Sequence, residues 1–168
     1  EKPDGQPFCC WHGGHEPHRS FEKGSGLASG KQLADVEVPG FLPDSDVVRS
    51  DILDYCLEIE WFDRHLGKMI ASLEARGELE NTLIIVTSDN GMAFPRAKAN
   101  VYEYGIHMPL AIRYVPVVPG GRVVNDVVSL TDLAPTILEM SGVDQPVTGG
   151  SGSPITGKSL VPVMKSSE

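Results

Sequence analysis

At 168 residues, with 40% hydrophobic and 22% charged side chains, the chain carries enough apolar material for one domain-sized core, which excludes a disordered polymer. A formal net charge of -9 excludes a generic binder of nucleic acid or anionic membrane, because either needs clustered Lys and Arg, although an acidic chain still binds an anion locally. No stretch approaches the roughly 18 to 20 apolar residues of a membrane span, and the sequence opens at Glu1 without a basic-then-apolar leader, so a missing amino-terminal portion is expected.

The run Pro7 to Trp11 is short, apolar and closed by Gly13 and Gly14, which predicts a buried strand ending in a loop. Cys9, Cys10 and Cys56 lack zinc-site spacing, and the adjacent pair in this run is expected as buried structural thiols; a thiolate supported by His12 and His15 is the alternative. From His15 to Pro43 the text is rich in Gly, Ser and Pro without periodicity, so a long surface excursion is expected. Asp44 or Ser45 then caps a helix whose apolar residues Val48, Ile52, Tyr55, Ile59, Phe62, Leu66, Met69 and Leu73 recur at spacings of four and three. That stripe must dock, by expectation on a sheet, to offset the entropy of ordering the segment, and it stops too soon for a coiled coil.

After the turn Gly77 to Asn81, the β-branched run Thr82 to Thr87 predicts a central parallel strand. Pro109 to Tyr114 and Val123 to Leu130 contain further strand-like runs, and Thr131 is placed to cap a helix through Met140 that ends at Gly142. Thr148 to Ser153 reads as a flexible stretch. Strands alternating with helices predict an α/β architecture with functional groups at the carboxyl ends of parallel strands.

Three clusters carry chemistry. Ser88-Asp89-Asn90-Gly91 directly follows a strand and sets a carboxylate beside an amide carbonyl, both hard ligands suited to calcium or magnesium, with Gly91 letting the backbone turn; an Asx turn satisfying local backbone is the alternative. His15-Glu16-Pro17-His18-Arg19 gathers two imidazoles, a carboxylate and a guanidinium, suited to binding an anion or moving protons near neutral pH, or else to plain solvation. Lys98 lies within loop reach of Asp89, where a cation makes sense if an anion bridges the two, and otherwise is a surface lysine.

Read in chain order, these clusters resemble the sulfatase family of the alkaline phosphatase superfamily. Pro17-His18, Ser88 to Gly91, Lys98, Tyr102-Glu103, Gly105 and Pro109-Leu110 follow its pattern, and Ser129 to Thr136 and Thr156 to Leu160 resemble its strand-to-helix and closing segments. Asn90 with Phe94-Pro95-Arg96-Ala97-Lys98 looks closest to the heparan N-sulfatase-like branch. The resemblance implies an α/β fold, a partial alkaline-phosphatase-like sandwich with a mostly parallel sheet flanked by helices, of which residues 1–168 are the carboxyl-terminal part of the catalytic domain. It implies Asp89 and Asn90 as Ca2+ ligands, His18 and Lys98 as catalytic and sulfate-binding groups, His15 and Arg96 at the substrate pocket with Arg19 at its border, and His107 in either a structural or rim role or a functional one.

The family attacks sulfur with a formylglycine made in a Cys/Ser-x-Pro/Ala-x-Arg motif, and this sequence contains no such motif. The resemblance therefore implies a piece of a calcium-dependent hydrolase of sulfated carbohydrate, inactive alone, with exposed apolar faces and marginal stability. Export to periplasm, extracellular space or lysosome is implied in the same way. A phosphodiesterase or phosphonate hydrolase of the superfamily, and a degenerate non-catalytic binder of anions or carbohydrate, remain as alternatives.

Overall fold

The computed structural model describes residues 5–118, 120–144 and 152–166, which form two compact units. The first joins Glu1–Leu73 to Ser88–Pro109, and the second joins Glu74–Thr87 to Leu110–Glu168. Most of the Thr148 to Ser153 stretch lies outside the described residues.

The first unit is built around one long helix. A single turn, α1 (Ser25–Ala28), precedes α2 (Asp46–Ala75), and a second short turn, α3 (Glu103–Ile106), follows in the Ser88–Pro109 segment. Ser45 starts α2 as expected: its Oγ accepts the Val48 N–H at 3.4 Å and its carbonyl accepts that of Arg49 at 2.9 Å. Past its end Gly77 takes φ +67, the left-handed conformation in which glycine closes a helix without a Cβ penalty.

The predicted apolar stripe is half-buried, with Ile59 exposed, but the deepest positions lie beside it at Leu53 and Asp54. The reason is the partner. Within this unit the described contacts of α2 are with the single turn α1 and with irregular chain: Gly26 of α1 sits so close that an added Cβ would meet Leu53 at 2.6 Å, Phe94 meets Tyr55 edge-on at 5.6 Å, and Gly14 lies against Phe62. Both Asp54 oxygens accept backbone N–H groups, from Gly24 and Gly26, each at 2.8 Å. Two donors aimed at one carboxylate let a charge sit in the interior, and they pin down what reads in sequence as a featureless excursion.

Two expectations fail at the start of the chain. Pro7 to Trp11 forms no strand and is exposed, Trp11 at 91%. Cys9 and Cys10 are exposed with it, while Cys56 on α2 is partly covered and burial pushes its thiol up, with Lys31 lowering it and Glu60 raising it to smaller extents.

The second unit holds β1 (Ile84–Thr87) and β2 (Leu110–Arg113), paired antiparallel from Ile84 opposite Arg113 to Thr87 opposite Leu110. The α/β class stands, but the neighbour of β1 is antiparallel where a parallel one was expected: the connection returns through Ser88–Pro109 without the long crossover helix that parallel pairing uses. Helices α4 (Leu133–Met140) and α5 (Val161–Lys165) complete the unit, whose core is Leu160, Val161 and Met164 packed by Leu110, Ile112, Leu133 and Met140.

Val123 to Leu130 is not a strand, and Val127 is fully exposed. Nor is Thr131 the cap. Ser129 accepts the Thr131 N–H at 3.4 Å, and Asp132 reaches back to the Ser129 N–H at 2.9 Å, so the shorter polar side chain two residues earlier opens the turn. The closing segment docks on the same turn. Asp132 accepts the Lys158 N–H at 2.8 Å, the fully buried Thr136 hydroxyl accepts the Leu160 N–H at 2.8 Å, and a Cβ at Gly157 would fall 2.0 Å from the Thr131 carbonyl.

Candidate active site

All the site residues named from sequence fall in the first unit. β1 ends at Thr87, and the chain turns at once into Ser88, whose Oγ donates to the Asn90 carbonyl at 2.9 Å. Asn90 Nδ2 donates to the Gly91 carbonyl at 3.0 Å, which commits one of its two hydrogens and leaves Oδ1 without a partner among the described residues. Asp89 is exposed and its carboxylate makes no hydrogen bond or ion pair among them, so the Asx-turn alternative finds no support at Asp89.

Gly91 is glycine for a different reason from the one expected. Its φ is not positive; an added Cβ would lie 2.1 Å from the Tyr104 carbonyl oxygen and 2.8 Å from Gly105 Cα. Gly105 is constrained in the same way, 2.1 Å from the Asn100 carbonyl oxygen. Two backbones in contact hold the loop after Asn90 against the Tyr102–Gly105 turn.

Beyond Gly91 the loop folds tightly on itself. The Lys98 N–H donates to the Met92 carbonyl at 3.1 Å, and Arg96 and Ala99 adopt positive φ of 61° and 62°, sparsely populated for non-glycine residues. The backbone of Lys98 is thereby held against Met92, and its side chain is exposed, with no ion pair for its ammonium among the described residues. Arg96 stacks on the Tyr102 ring, its guanidinium carbon 4.5 Å from the centroid.

The His15–Arg19 turn closes with the His18 N–H on the His15 carbonyl at 2.9 Å, around a cis Glu16–Pro17 peptide, and the two imidazoles lie 5.1 Å apart. His18 Nδ1 is 2.8 Å from the Arg19 carbonyl. A carbonyl only accepts, so Nδ1 carries hydrogen and Nε2 is the nitrogen left for chemistry. Arg19 Nε donates to the Ala93 carbonyl at 3.1 Å, which fastens the His18 turn to the loop that follows Asn90. His107 instead pairs with Glu103 at 2.5 Å, both exposed, as a local i,i+4 contact.

Sequence reasoning placed Arg19 at a pocket border. Its guanidinium is committed to Asp51 on α2 by two bonds, of 2.9 and 2.7 Å, and the hydrogen bond to Asp51 holds it above the ordinary arginine range. The available signal was Asp51 and Asp54, one helical turn apart and flanking Ile52 and Leu53, carboxylates at positions otherwise suited to packing. Behind Met92 and Phe94 a cavity of about 380 Å³ is lined also by Glu37, Tyr55, Cys56 and Tyr104.

Chemically, the corner offers two hard oxygen donors, Asp89 and Asn90, which fit a calcium-type ion but do not complete its usual six to eight. Among the described residues no group of three or more His, Cys, Asp or Glu is placed to hold a metal. No described helix is long and apolar enough to cross a membrane.

Residues 1–143 match the family model described as Sulfatase. The chain is 31% identical over 188 residues to N-sulphoglucosamine sulphohydrolase of Homo sapiens, covering 96% of this chain and 37% of that protein. A solved structure in complex with its substrate D-glucosamine-2-N,6-O-disulfate superposes with a TM-score of 0.61 at 31% identity, over 73% of this chain and 25% of the other. Phosphonate monoester hydrolase from Silicibacter pomeroyi gives a TM-score of 0.61 at 27% identity, over 84% of this chain and 28% of the other. The chain thus spans well under half the length of the relatives it matches.

Proposed function

The chain belongs to the sulfatase family, a hydrolase family, and we propose that it forms one wall of the sulfate pocket of a longer, calcium-dependent hydrolase acting on a sulfated glucosamine-type sugar, O- or N-sulfated. Residues 1–168 then form the carboxyl-terminal part of its catalytic domain, and an exported compartment suits the family. What supports the reading is the meeting at Met92 and Ala93. Lys98 is hydrogen-bonded back to the first and Arg19, 74 residues away, to the second, so the distant turn carrying His18 is tied to the same short stretch of backbone that follows Asp89 and Asn90 and folds back on Lys98. The substrate class draws on the human relative and on the sulfated glucosamine in the solved neighbour.

In this reading Asp89 and Asn90 Oδ1 hold the ion from one side. When bound, calcium supplies positive charge to the sulfate oxygens as charge develops on them. The Lys98 ammonium, otherwise without an ion pair among the described residues, adds a second cation to the same oxyanion. His18 contacts the sulfate from the other loop. Protonated, it donates from Nε2 to the leaving sugar oxygen or nitrogen while Nδ1 stays held by the Arg19 carbonyl, which keeps the ring oriented for that transfer. His15 and Arg96 lie at the rim of the pocket, where the sugar would pass. The nucleophile is formylglycine by family resemblance, and its motif is absent from this sequence.

The test compares the isolated chain with the product that includes the coding sequence upstream of Glu1. Free sulfate is measured from N-sulfo- and 6-O-sulfo-glucosamine. The longer product should release sulfate, and the 168-residue chain should not. In the longer product Asp89→Ala, Lys98→Ala and His18→Ala should each lower kcat/KM by about 10²- to 10³-fold. Turnover by the isolated chain, or undiminished turnover by Asp89→Ala, would sink the proposal. The phosphonate hydrolase neighbour motivates one competing outcome, a kcat/KM higher on a phosphonate monoester than on any sulfated sugar.

A further inference from the structure

Arg19 is bound in a way that a pocket-rim cation is not. Its two terminal nitrogens grip Asp51 at 2.9 and 2.7 Å, and its Nε is turned to the Ala93 carbonyl at 3.1 Å. Phe21 and Phe94 flank it, with their ring centroids 5.2 and 5.0 Å from the guanidinium carbon. The bidentate pair fixes the plane of the guanidinium and the two rings fix its height, so the Nε bond vector has little freedom left. That vector joins the backbone next to His18 to the backbone three residues after Asn90. Asp51 belongs to α2, a 30-residue helix and the longest element described.

We infer that Arg19 is a positioning residue that sets the placement of the His18 imidazole relative to Asp89, Asn90 and Lys98, with α2 as the fixed reference. The inference rests on the sulfate-pocket reading for what those groups do, but its geometry stands independently of it. Lysine is a poor substitute, since a single ammonium cannot hold a carboxylate with two bonds and present a third donor at a set angle.

The test uses nuclear magnetic resonance of the 168-residue chain, with inorganic sulfate as the probe and amide hydrogen exchange as a second readout. In the unsubstituted chain, the His18 ring and Lys98 side-chain signals should shift together along one sulfate titration curve. In Arg19→Lys, Arg19→Met and Asp51→Asn that shared curve should weaken by about tenfold or split into two. Amide exchange at residues 15–18 and 91–98 should accelerate together in the same variants. Arg49→Met should leave both readouts unchanged, although it removes an arginine paired with Asp44 and bonded to the Leu33 and Val36 carbonyls. Coupled loosening of the two loops upholds the positioning role even without a sulfate response in the parent chain, because one wall of a pocket does not by itself have to hold the anion, and the pocket reading is then decided by turnover of the longer product. Exchange at residues 91–98 in Arg19→Lys and Asp51→Asn equal to that of the parent would overturn the positioning role, whatever sulfate does.

Discussion

Asp54 is a point where the geometry yields a magnitude. Its carboxylate is 1% exposed and accepts the Gly24 and Gly26 N–H groups, each at 2.8 Å. Asp54→Ala removes both acceptors. The Gly26 N–H lies in a buried setting where water cannot replace the lost oxygen, a cost near the upper end of about 1–3 kcal/mol, whereas the part-buried Gly24 N–H can recover some hydration and falls near the lower end. The sum is about 3–4 kcal/mol. Asp54→Asn keeps one acceptor and should cost about half of that, so the order Asp, Asn, Ala is itself diagnostic. Urea unfolding followed by far-UV circular dichroism reads it: with a slope of about 2 kcal/mol per molar, the alanine variant should lose about 2 M in midpoint with little change in slope. If alanine and asparagine both lie within about 0.5 kcal/mol of the parent chain, the carboxylate does not anchor the 24–26 turn and the argument fails.

Gly91→Ala should destabilise the first unit by about 3 kcal/mol or more, since the atoms its Cβ would strike are backbone and cannot swing aside. Gly67→Ala should stabilise by about 0.5–1 kcal/mol, because that position is helical with nothing within 4 Å, and paired thermal melts of the two variants check the contrast. In the second unit, the Lys158 and Ser129 backbone N–H groups hold Asp132 below its ordinary 3.8. A depressed carboxylate contributes stability that is present above 3.8 and is lost as pH falls through the lower folded value. Asp132→Asn should therefore melt lower than the parent at pH 7, and the gap should close as the pH is lowered to about 2. A gap that stays constant with pH would refute the assignment.

The helix Asp46–Ala75 was legible because its signals are local: a Ser cap, apolar residues one turn apart and a glycine to stop it. β1 and β2 were legible as β-branched and aliphatic runs, but their pairing direction was not, because a run of four residues carries no record of its neighbour. Pro7 to Trp11 and Val123 to Leu130 show the converse failure: β propensity describes a fit to a half-buried pleated surface, and neither run meets one among the described residues. The family motifs pointed to the loops that carry the candidate site. They did not reveal that Arg19 is occupied by Asp51, or that Gly91 and Gly105 are required by contact between backbones.

By itself, then, the sequence determined the family and the long helix and nominated the polar groups of the candidate pocket, since each is written in composition, periodicity or a contiguous motif. Tertiary structure decided which of those groups are free to meet a ligand and which are consumed in holding the loops. Arg19 and Lys98 are both cations in loops, and nothing adjacent to either tells them apart. The difference lies in Asp51, 32 residues from Arg19, whose carboxylate only the folded chain brings within hydrogen-bonding distance.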